Sequence, residues 1–214
     1  MRTWILDDTL NEDELKFEGN IIVHGDINIK KDCIVTGFIE STGSMTIGGL
    51  LKSGHYIESR GFINVKGDIE SNRWIIANGR IGSIQGHDIV AGSDIKAGGC
   101  IFATGYLEAK GNIRADDAII SEEDITSTGY INAGTYIKSK NYIKSEKSIM
   151  SGEYIEAGSY IVANNGYQIF SGIRVRDYEL SKKGFIKALE INSKVAYGKV
   201  ELINDNQRVV NSVG

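Results

Sequence analysis

Residues 105–133 read GYLEAKGNIRADDAIISEEDITSTGYINA, and an aliphatic residue returns at every sixth position: Leu107, Ile113, Ile119, Ile125 and Ile131. Alanine or serine follows two positions later, and glycine often stands two positions earlier, so the repeat reads G-x-I-x-[AS]-x. Residues two apart on an extended segment face the same side. A six-residue period settles on no single helical face, and β-branched isoleucine favours strands. The stretch therefore predicts short strands joined by corners.

The same register extends in both directions from this stretch. It covers 25 positions between Leu15 and Ile161, all of them apolar and 20 of them isoleucine, with one two-residue shift between Ile81 and Ile89. Internal periodicity of this kind is the signature of a repeat architecture. The sequence predicts an all-β fold, a single-stranded β-solenoid.

Aromatic residues indicate the length of one coil. Phe38, Tyr56 and Trp74 each stand directly before an inward isoleucine, and they are 18 residues apart. Such a spacing stacks three rings above one another if one coil holds three hexads, and side-chain ladders stabilise neighbouring strands. We expect a triangular solenoid of about 18 residues per coil, with about eight coils between residues 15 and 161.

Two other positions of the hexad are also patterned: the one two residues after the isoleucine and the one two residues before it. The small residue after the isoleucine is expected because a narrow triangle does not hold two large side chains per face. Glycine dominates the position two residues before the isoleucine. Asn141 and Asp117 fill the same position, and these residue types also tolerate left-handed backbone. We expect this position to turn the corner.

The chain divides into three parts by this pattern. Residues 1–14 are predicted to form an N-terminal cap, residues 15–171 the hexad-repeat solenoid, and residues 172–214 a β-rich C-terminal cap or oligomerisation segment. Two-residue interruptions at 82–88 and 164–168 are expected to lengthen corners.

Composition narrows the range of functions. The formal net charge of −4 argues against a nucleic-acid partner, and no stretch approaches the length of a membrane span. Acidic residues stand near the start of the chain, where a secretory signal needs an apolar run, and the two cysteines lack metal-ligand spacing. A cytoplasmic location is expected.

No pattern for catalysis or for a metal is found. Hexad-repeat acyltransferases place the small residue two before the aliphatic one, whereas here it follows. Of the three histidines only His87, in the first interruption, is a candidate general base. We expect no enzyme, no cofactor and no small-molecule substrate, with an acyltransferase-like activity of His87 as the third alternative.

Outward-facing residues are the better candidates for a function. Exposed aromatics among charges are typical of protein interfaces, although tyrosine ladders also form on plain sheet surfaces. The predicted protein-binding residues are Tyr136, Tyr142, Tyr154 and Tyr160 with Lys138 and Lys144, and the acidic patch Asp116, Asp117, Glu122, Glu123 and Asp124. The spacing predicts that Tyr136 stacks on Tyr154, and Tyr142 on Tyr160.

The G-x-I-x-[AS] phrasing, as in GDIES (67–71), GYLEA (105–109), GNIRA (111–115) and GYINA (129–133), resembles the bactofilins. The resemblance covers roughly residues 19–163. Bactofilins are polymer-forming bacterial cytoskeletal proteins with a β-helical core, so it implies a structural protein. This chain differs in having no proline and a structured-looking C-terminal segment.

Two hypotheses of function follow. In the first, the rod is a non-catalytic scaffold that assembles with itself, and acids near one end with bases near the other favour head-to-tail contact. In the second, the rod is a discrete binder, such as a phage-type inhibitor that docks on a host protein through its tyrosine or acidic face.

Overall fold

The computed structural model describes residues 2–83, 87–175 and 179–203, which form short strands and one helical turn. The elements in chain order are β1 (Thr3–Leu6), β2 (Leu10–Glu12), β3 (Leu15–Phe17), β4 (Asn20–Val23), β5 (Ile27–Ile29), β6 (Cys33–Val35), β7 (Ile39–Ser41), β8 (Met45–Ile47), β9 (Leu51–Ser53), β10 (Ile57–Ser59), β11 (Ile63–Val65), β12 (Ile69–Ser71), β13 (Ile75–Ala77), β14 (Ile81–Ser83), β15 (Ile89–Ala91), β16 (Ile95–Ala97), β17 (Ile101–Ala103), β18 (Leu107–Ala109), β19 (Ile113–Ala115), β20 (Ile119–Ser121), β21 (Ile125–Ser127), β22 (Ile131–Ala133), β23 (Ile137–Ser139), β24 (Ile143–Ser145), β25 (Ile149–Ser151), β26 (Ile155–Ala157), β27 (Tyr160–Ala163), β28 (Gln168–Phe170), α1 (Leu180–Lys183), β29 (Phe185–Ala188), β30 (Glu190–Ile191), β31 (Lys194–Tyr197) and β32 (Lys199–Leu202).

Every third strand belongs to the same parallel sheet. The first sheet runs β1-β4-β7 and onward to β28-β31, the second β2-β5-β8 to β29-β32, and the third β3-β6-β9 to β27-β30. Partner residues are mostly 18 apart, as Ile57 is from both Ile39 and Ile75. The predicted β-solenoid with about 18 residues per coil is confirmed.

Residues 15–161 form the expected eight or so coils, and the end segments add further coils that were predicted only as caps. The three sheets hold 11, 11 and 10 strands within the described residues, so the stack has about eleven coils. At the start, Trp4 and Leu10 occupy inward positions in a first coil that the isoleucine pattern does not reveal. At the end, Ile155 pairs with Ile186, 31 residues later, because a longer connection containing α1 interrupts the period. The same sheets thus continue into both predicted end segments.

Columns of isoleucine fill the interior. From Ile39 to Ile161 every isoleucine of the hexad register is fully buried, and Ile169 and Ile186 continue the columns. Each buried side chain of this size contributes about 1.5–3 kcal/mol before chain entropy is subtracted. Stacked isoleucines therefore make up most of the apolar contact between successive coils.

Both interruptions lengthen a corner without disturbing the stack. Ile69 pairs with Ile89 and Ile149 pairs with Ile169, so each affected coil has two extra residues and the register resumes at once. In the second interruption Asn165 and Gly166 have φ values of 55° and 76°, which form the turn. Residues 84–86 of the first interruption lie outside the described residues.

The corner glycines are required by close approach, and the expectation of left-handed backbone there was wrong. Among the described glycines of that position only Gly19 has such a φ, at 144°. A Cβ at Gly43 would lie 2.1 Å from Asp26 Oδ1 of the preceding coil and 2.8 Å from the Gly25 carbonyl carbon. Asp26 Oδ1 accepts a hydrogen bond from the Ser44 amide at 2.7 Å, so its carboxylate occupies the space where a side chain would stand.

Where serine fills the second inward position, its hydroxyl in most cases ties the corner to the preceding coil. Ser53 Oγ donates to the Gly37 carbonyl at 2.7 Å and accepts from the His55 amide at 3.1 Å. Ser121 makes the same pair of bonds with the Gly105 carbonyl and the Glu123 amide. These buried hydroxyls are therefore hydrogen-bonded as well as small, which explains why serine shares the position with alanine.

Candidate functional site

The outer surface of the solenoid consists of straight columns of side chains. Each face is the outer surface of one sheet, and we number the faces as the sheets. The leading column of a face holds the residue directly before each inward isoleucine, and the central column holds the residue directly after it. The first corner follows the first sheet's strands, and the second and third corners follow the second and third sheets.

The predicted tyrosine stacks are present on adjacent faces. Tyr136 and Tyr154 stack with ring centroids 4.8 Å apart in the leading column of the second face. Tyr142 and Tyr160 stack at 4.8 Å in the leading column of the third face. All four rings are half-buried. Burial raises the pKa of Tyr154 to about 12, with Tyr136 adding to the effect, and burial also raises the pKa of Tyr142.

Phe185 extends the first of these stacks. Its ring lies 4.9 Å from that of Tyr154, so three aromatic rings bridge the connection that contains α1. The sequence signal for Phe185 was its place directly before Ile186. Sequence reasoning missed it because the preceding connection breaks the six-residue period.

The predicted lysines are engaged in ion pairs. Lys138 Nζ lies 3.3 Å from Glu156, and Lys187 approaches the same carboxylate from the next coil at 3.7 Å. Lys144 lies 3.7 Å from Glu146. The second face therefore carries a column of alternating sign beside its tyrosines.

The predicted acidic patch is divided between two corners. Asp116 and Asp117 lie at the first corner, and Glu122 and Glu123 lie at the second, on the other side of strand β20. Asp116 is 3.5 Å from Arg114, and Glu122 forms an ion pair with Lys140. Asp124 Oδ1 accepts a hydrogen bond from the Tyr142 amide at 3.4 Å, so this carboxylate helps to hold the next coil.

A second set of stacked rings lies on the first face. Phe38 and Tyr56 are 4.8 Å apart, and Tyr56 and Trp74 4.7 Å, as the 18-residue spacing predicts. The Tyr56 hydroxyl donates to Glu40, and burial with this hydrogen bond raises the pKa of Tyr56. Trp74 Nε1 and His55 Nδ1 are buried without a hydrogen-bond partner among the described residues.

A polar groove of about 640 Å³ runs along the second face and second corner of the first four coils. Its floor is the central column Asn11, Asn28, Thr46 and Asn64, in which Asn28 Nδ2 donates to Asn11 Oδ1 at 3.0 Å. Lys30 and Lys66 line its corner side. Sequence reasoning missed this groove, because its residues occupy ordinary repeat positions.

Two of the three histidines pair with an aspartate of a neighbouring coil. His87 Nδ1 lies 3.1 Å from Asp68 Oδ1, and His24 Nδ1 lies 2.8 Å from Asp7 Oδ1. Asp68 Oδ1 also accepts from the Asp88 amide at 3.0 Å, which ties the first interruption to the coil before it. His87, the candidate general base of the sequence, is therefore paired with a carboxylate that also helps to hold the corner together.

The two cysteines differ in their surroundings. Cys33 is fully buried in an inward column, and burial raises the pKa of its thiol to about 12. Cys100 is half-buried in the leading column of the second face. Both are free thiols.

Within residues 2–83, 87–175 and 179–203, no group of three or more histidine, cysteine, aspartate or glutamate residues is placed to hold a metal ion. The described part of the chain also holds no helix with the length and apolarity that crossing a membrane requires. Comparison with family models, curated proteins and solved structures finds no match to this chain.

Proposed function

We propose that the chain is a non-catalytic structural or interaction protein, a rod whose flat faces and ends serve self-assembly or the binding of another protein. The observation that carries this proposal is the uninterrupted stack of three parallel sheets. Because the stack fixes the outward side chains in straight columns, its faces are preorganised for contact, which lowers the entropic cost of association. The fold is consistent with a scaffold protein, and we propose that the protein acts in the cytoplasm.

The two ends of the rod support self-assembly. β1, β2 and β3 each have one neighbouring strand among the described residues, as do β30, β31 and β32 at the other end. Unpaired strand edges are templates for pairing with another chain. Ile5 is 57% exposed near one end, and Leu202 is 61% exposed at the other. The resemblance of the repeat to that of the polymer-forming bactofilins supports the same proposal of self-assembly.

Concentration-dependent assembly tests the scaffold function. The purified chain is followed by sedimentation velocity from micromolar to near-millimolar concentration, and the same samples are imaged by negative-stain electron microscopy. We expect particles larger than one rod at the higher concentrations. A strictly monomeric rod over the whole range would rule out self-assembly.

The tyrosine stacks support the second version, in which the rod binds a different protein. Tyr136, Tyr154 and Phe185 form a rigid aromatic strip, and aromatic side chains held in place are frequent anchors of interfaces. Capture of a host protein by the wild-type rod is compared with capture by a Tyr136→Ala/Tyr142→Ala variant. Binding through this surface predicts loss of capture while the variant stays folded, and unchanged capture would refute these residues.

A further inference from the structure

The central column of the first face has an unusual distribution of charge. From the first coil to the ninth it reads Ile5, Ile22, Glu40, Glu58, Ile76, Lys96, Arg114, Asn132 and Met150. Two acids stand on one side of Ile76 and two bases stand on the other. Apolar side chains lie at the centre and at both ends.

Like charges are direct neighbours in this column. Glu40 is in register with Glu58, and Lys96 is in register with Arg114. Like charges placed opposite each other on adjacent strands are unfavourable. The central columns of the other two faces avoid this arrangement, since Lys52 lies 2.5 Å from Glu70 on the third face and Lys138 lies beside Glu156 on the second.

Three of these four charges have no ion-pair partner among the described residues. Glu58 and Lys96 are exposed, Glu40 accepts only the Tyr56 hydroxyl, and Arg114 makes one long contact of 3.5 Å to Asp116. Within the described residues the acidic block is thus left without ion pairs, and the basic block has only the contact of Arg114 with Asp116. A partner with the opposite order of charges would neutralise both.

We infer that the first face is the docking surface for a second copy of this chain, packed face to face with the two rods antiparallel. A two-fold axis along β13, through Ile76, places Glu58 of each copy opposite Lys96 of the other and Glu40 opposite Arg114. Each contact occurs twice, as an isologous interface requires. The same axis sets Ile5 opposite Met150, so apolar side chains meet at both ends.

The shape of the rod fits this arrangement. β13 is the fifth of the nine strands that the two copies share, β1 to β25 of the first sheet. The first interruption lies at the second corner, away from the first face, and the longer connections begin after β27 and β28. The first sheet therefore keeps an unbroken register over the shared length, and the connection after β28 reaches back only to the first corner, where Arg174 lies beside Gly134 and Gly152.

The contact area predicts a weak, salt-sensitive dimer. Nine strands at about 4.8 Å spacing and a width of roughly 13 Å give about 560 Å² per copy, or about 1,100 Å² in total. This is the lower limit of specific interfaces, so electrostatic complementarity decides whether the dimer forms. The inference rests on the proposed function, because it assumes that the rod acts through its faces.

Charge exchange at one contact tests the inference. In sedimentation equilibrium we expect Glu58→Lys alone and Lys96→Glu alone each to weaken the dimer by roughly tenfold, since two attractive contacts become repulsive. An equimolar mixture of the two variants should restore the wild-type affinity as a heterodimer. Glu108→Lys on the third face and Lys66→Glu at the second corner change the net charge equally and should have no effect.

A cross-link at the axis tests the orientation. In a Cys100→Ser background, Ile76→Cys should join two copies through a short bis-maleimide, because the same residue faces itself across the axis. Val90→Cys, equally half-buried in the same coil but on the third face, is the matched control. The inference is overturned if the wild-type chain is monomeric at near-millimolar concentration, if the mixture does not recover the dimer, or if both cysteines link equally.

The outcomes separate this inference from the proposed function. If the rods form particles that neither Glu58→Lys nor Lys96→Glu changes, the scaffold function stands and the first-face dimer is wrong. If dimers form with the predicted charge dependence but do not grow into larger assemblies, the inference holds, and the ends of the rod do not take part in assembly.

Discussion

The corner of each coil depends on side chains of the coil before it. Asp26 takes the space in which Gly43 would carry a side chain, and its carboxylate holds the Ser44 amide. Inside the rod, the Ser53 hydroxyl donates a hydrogen bond to the Gly37 carbonyl of the preceding coil. The residue identities at a corner are therefore coupled across about 18 positions of sequence.

This coupling is testable with a double-mutant cycle. Gly43→Ala should lower the free energy of unfolding by about 2 kcal/mol, because its Cβ meets Asp26. The loss should be markedly smaller in an Asp26→Ala background, although the contact with the Gly25 backbone remains. Gly79→Ala is the control, since its nearest neighbour atom is 3.2 Å away. Equal losses for Gly43→Ala in both backgrounds, measured by urea unfolding, would contradict the coupling.

Alkaline pH should expose the contribution of Tyr154. Its pKa is raised from about 10 in the unfolded chain to about 12 in the fold. A raised pKa gives stability that is complete below pH 10 and is lost as the pH rises toward 12. We expect the urea midpoint of wild type to fall between pH 8 and pH 11 more steeply than that of Tyr154→Phe. Parallel pH profiles would show that burial of this hydroxyl does not contribute.

From β12 to β26 each strand is a three-residue unit with one large and one small inward residue, whereas Ile29, Ile47 and Val65 show that the first coils hold two large side chains per face, against expectation. Ala109, 1% exposed, lies inside beside the fully buried Leu107, while Glu108 between them points outward. The alternation explains why the interior accepts isoleucine at every sixth position without gaps. It also explains why the second inward position is restricted to small residues through most of the rod.

Overpacking should therefore be costly inside and mild outside. Ala109→Leu is expected to lower the free energy of unfolding by about 1–3 kcal/mol, because added methylenes in a filled core force strain. Glu108→Leu adds a leucine to the same strand on its outer side and serves as the control. Urea unfolding of both variants measures the difference, and an unchanged Ala109→Leu would mean that the interior has room to spare.

The strand pattern could be predicted wherever the isoleucine period held. It gave the sheets, the coil length and the stacks of Tyr136 on Tyr154 and of Phe38 on Tyr56. It failed at the ends, where Trp4 and Leu10 replace isoleucine and a long connection precedes Phe185. It also misread the glycines, because contact with Asp26 is a property of stacked coils that no single hexad reveals.

The candidate surfaces were harder to predict, because an outward column is visible only once the coils are aligned. The tyrosines stood out by their residue type, whereas the charge order around Ile76 depends on reading every eighteenth residue through a two-residue interruption. The acidic residues at 116–124 are neighbours in sequence, yet corners separate them into two groups. Sequence proximity is thus a poor guide to surface proximity on this rod.

At the scale of the whole molecule, the described residues form one continuous rod. Among the described residues, ten of the eleven coils contribute a strand to all three sheets, and the aromatic stack from Tyr136 to Phe185 spans the connection at which the repeat is weakest. On each face of such a rod, equivalent side chains of successive coils are about 4.8 Å apart. The proposed self-assembly and the proposed partner binding would both depend on this regular spacing.

Distances between spin labels along the second face measure this spacing directly. In a Cys100→Ala background, with the buried Cys33 unreactive, labels are placed at Asn28 and Lys138, or at Asn28 and Glu201, which lie six and nine coils apart. The rod predicts distances of about 29 Å and about 43 Å by pulsed electron paramagnetic resonance, with the label linkers adding a few ångströms. Distances that do not grow in proportion to the coil number would contradict the single continuous stack on which the account depends.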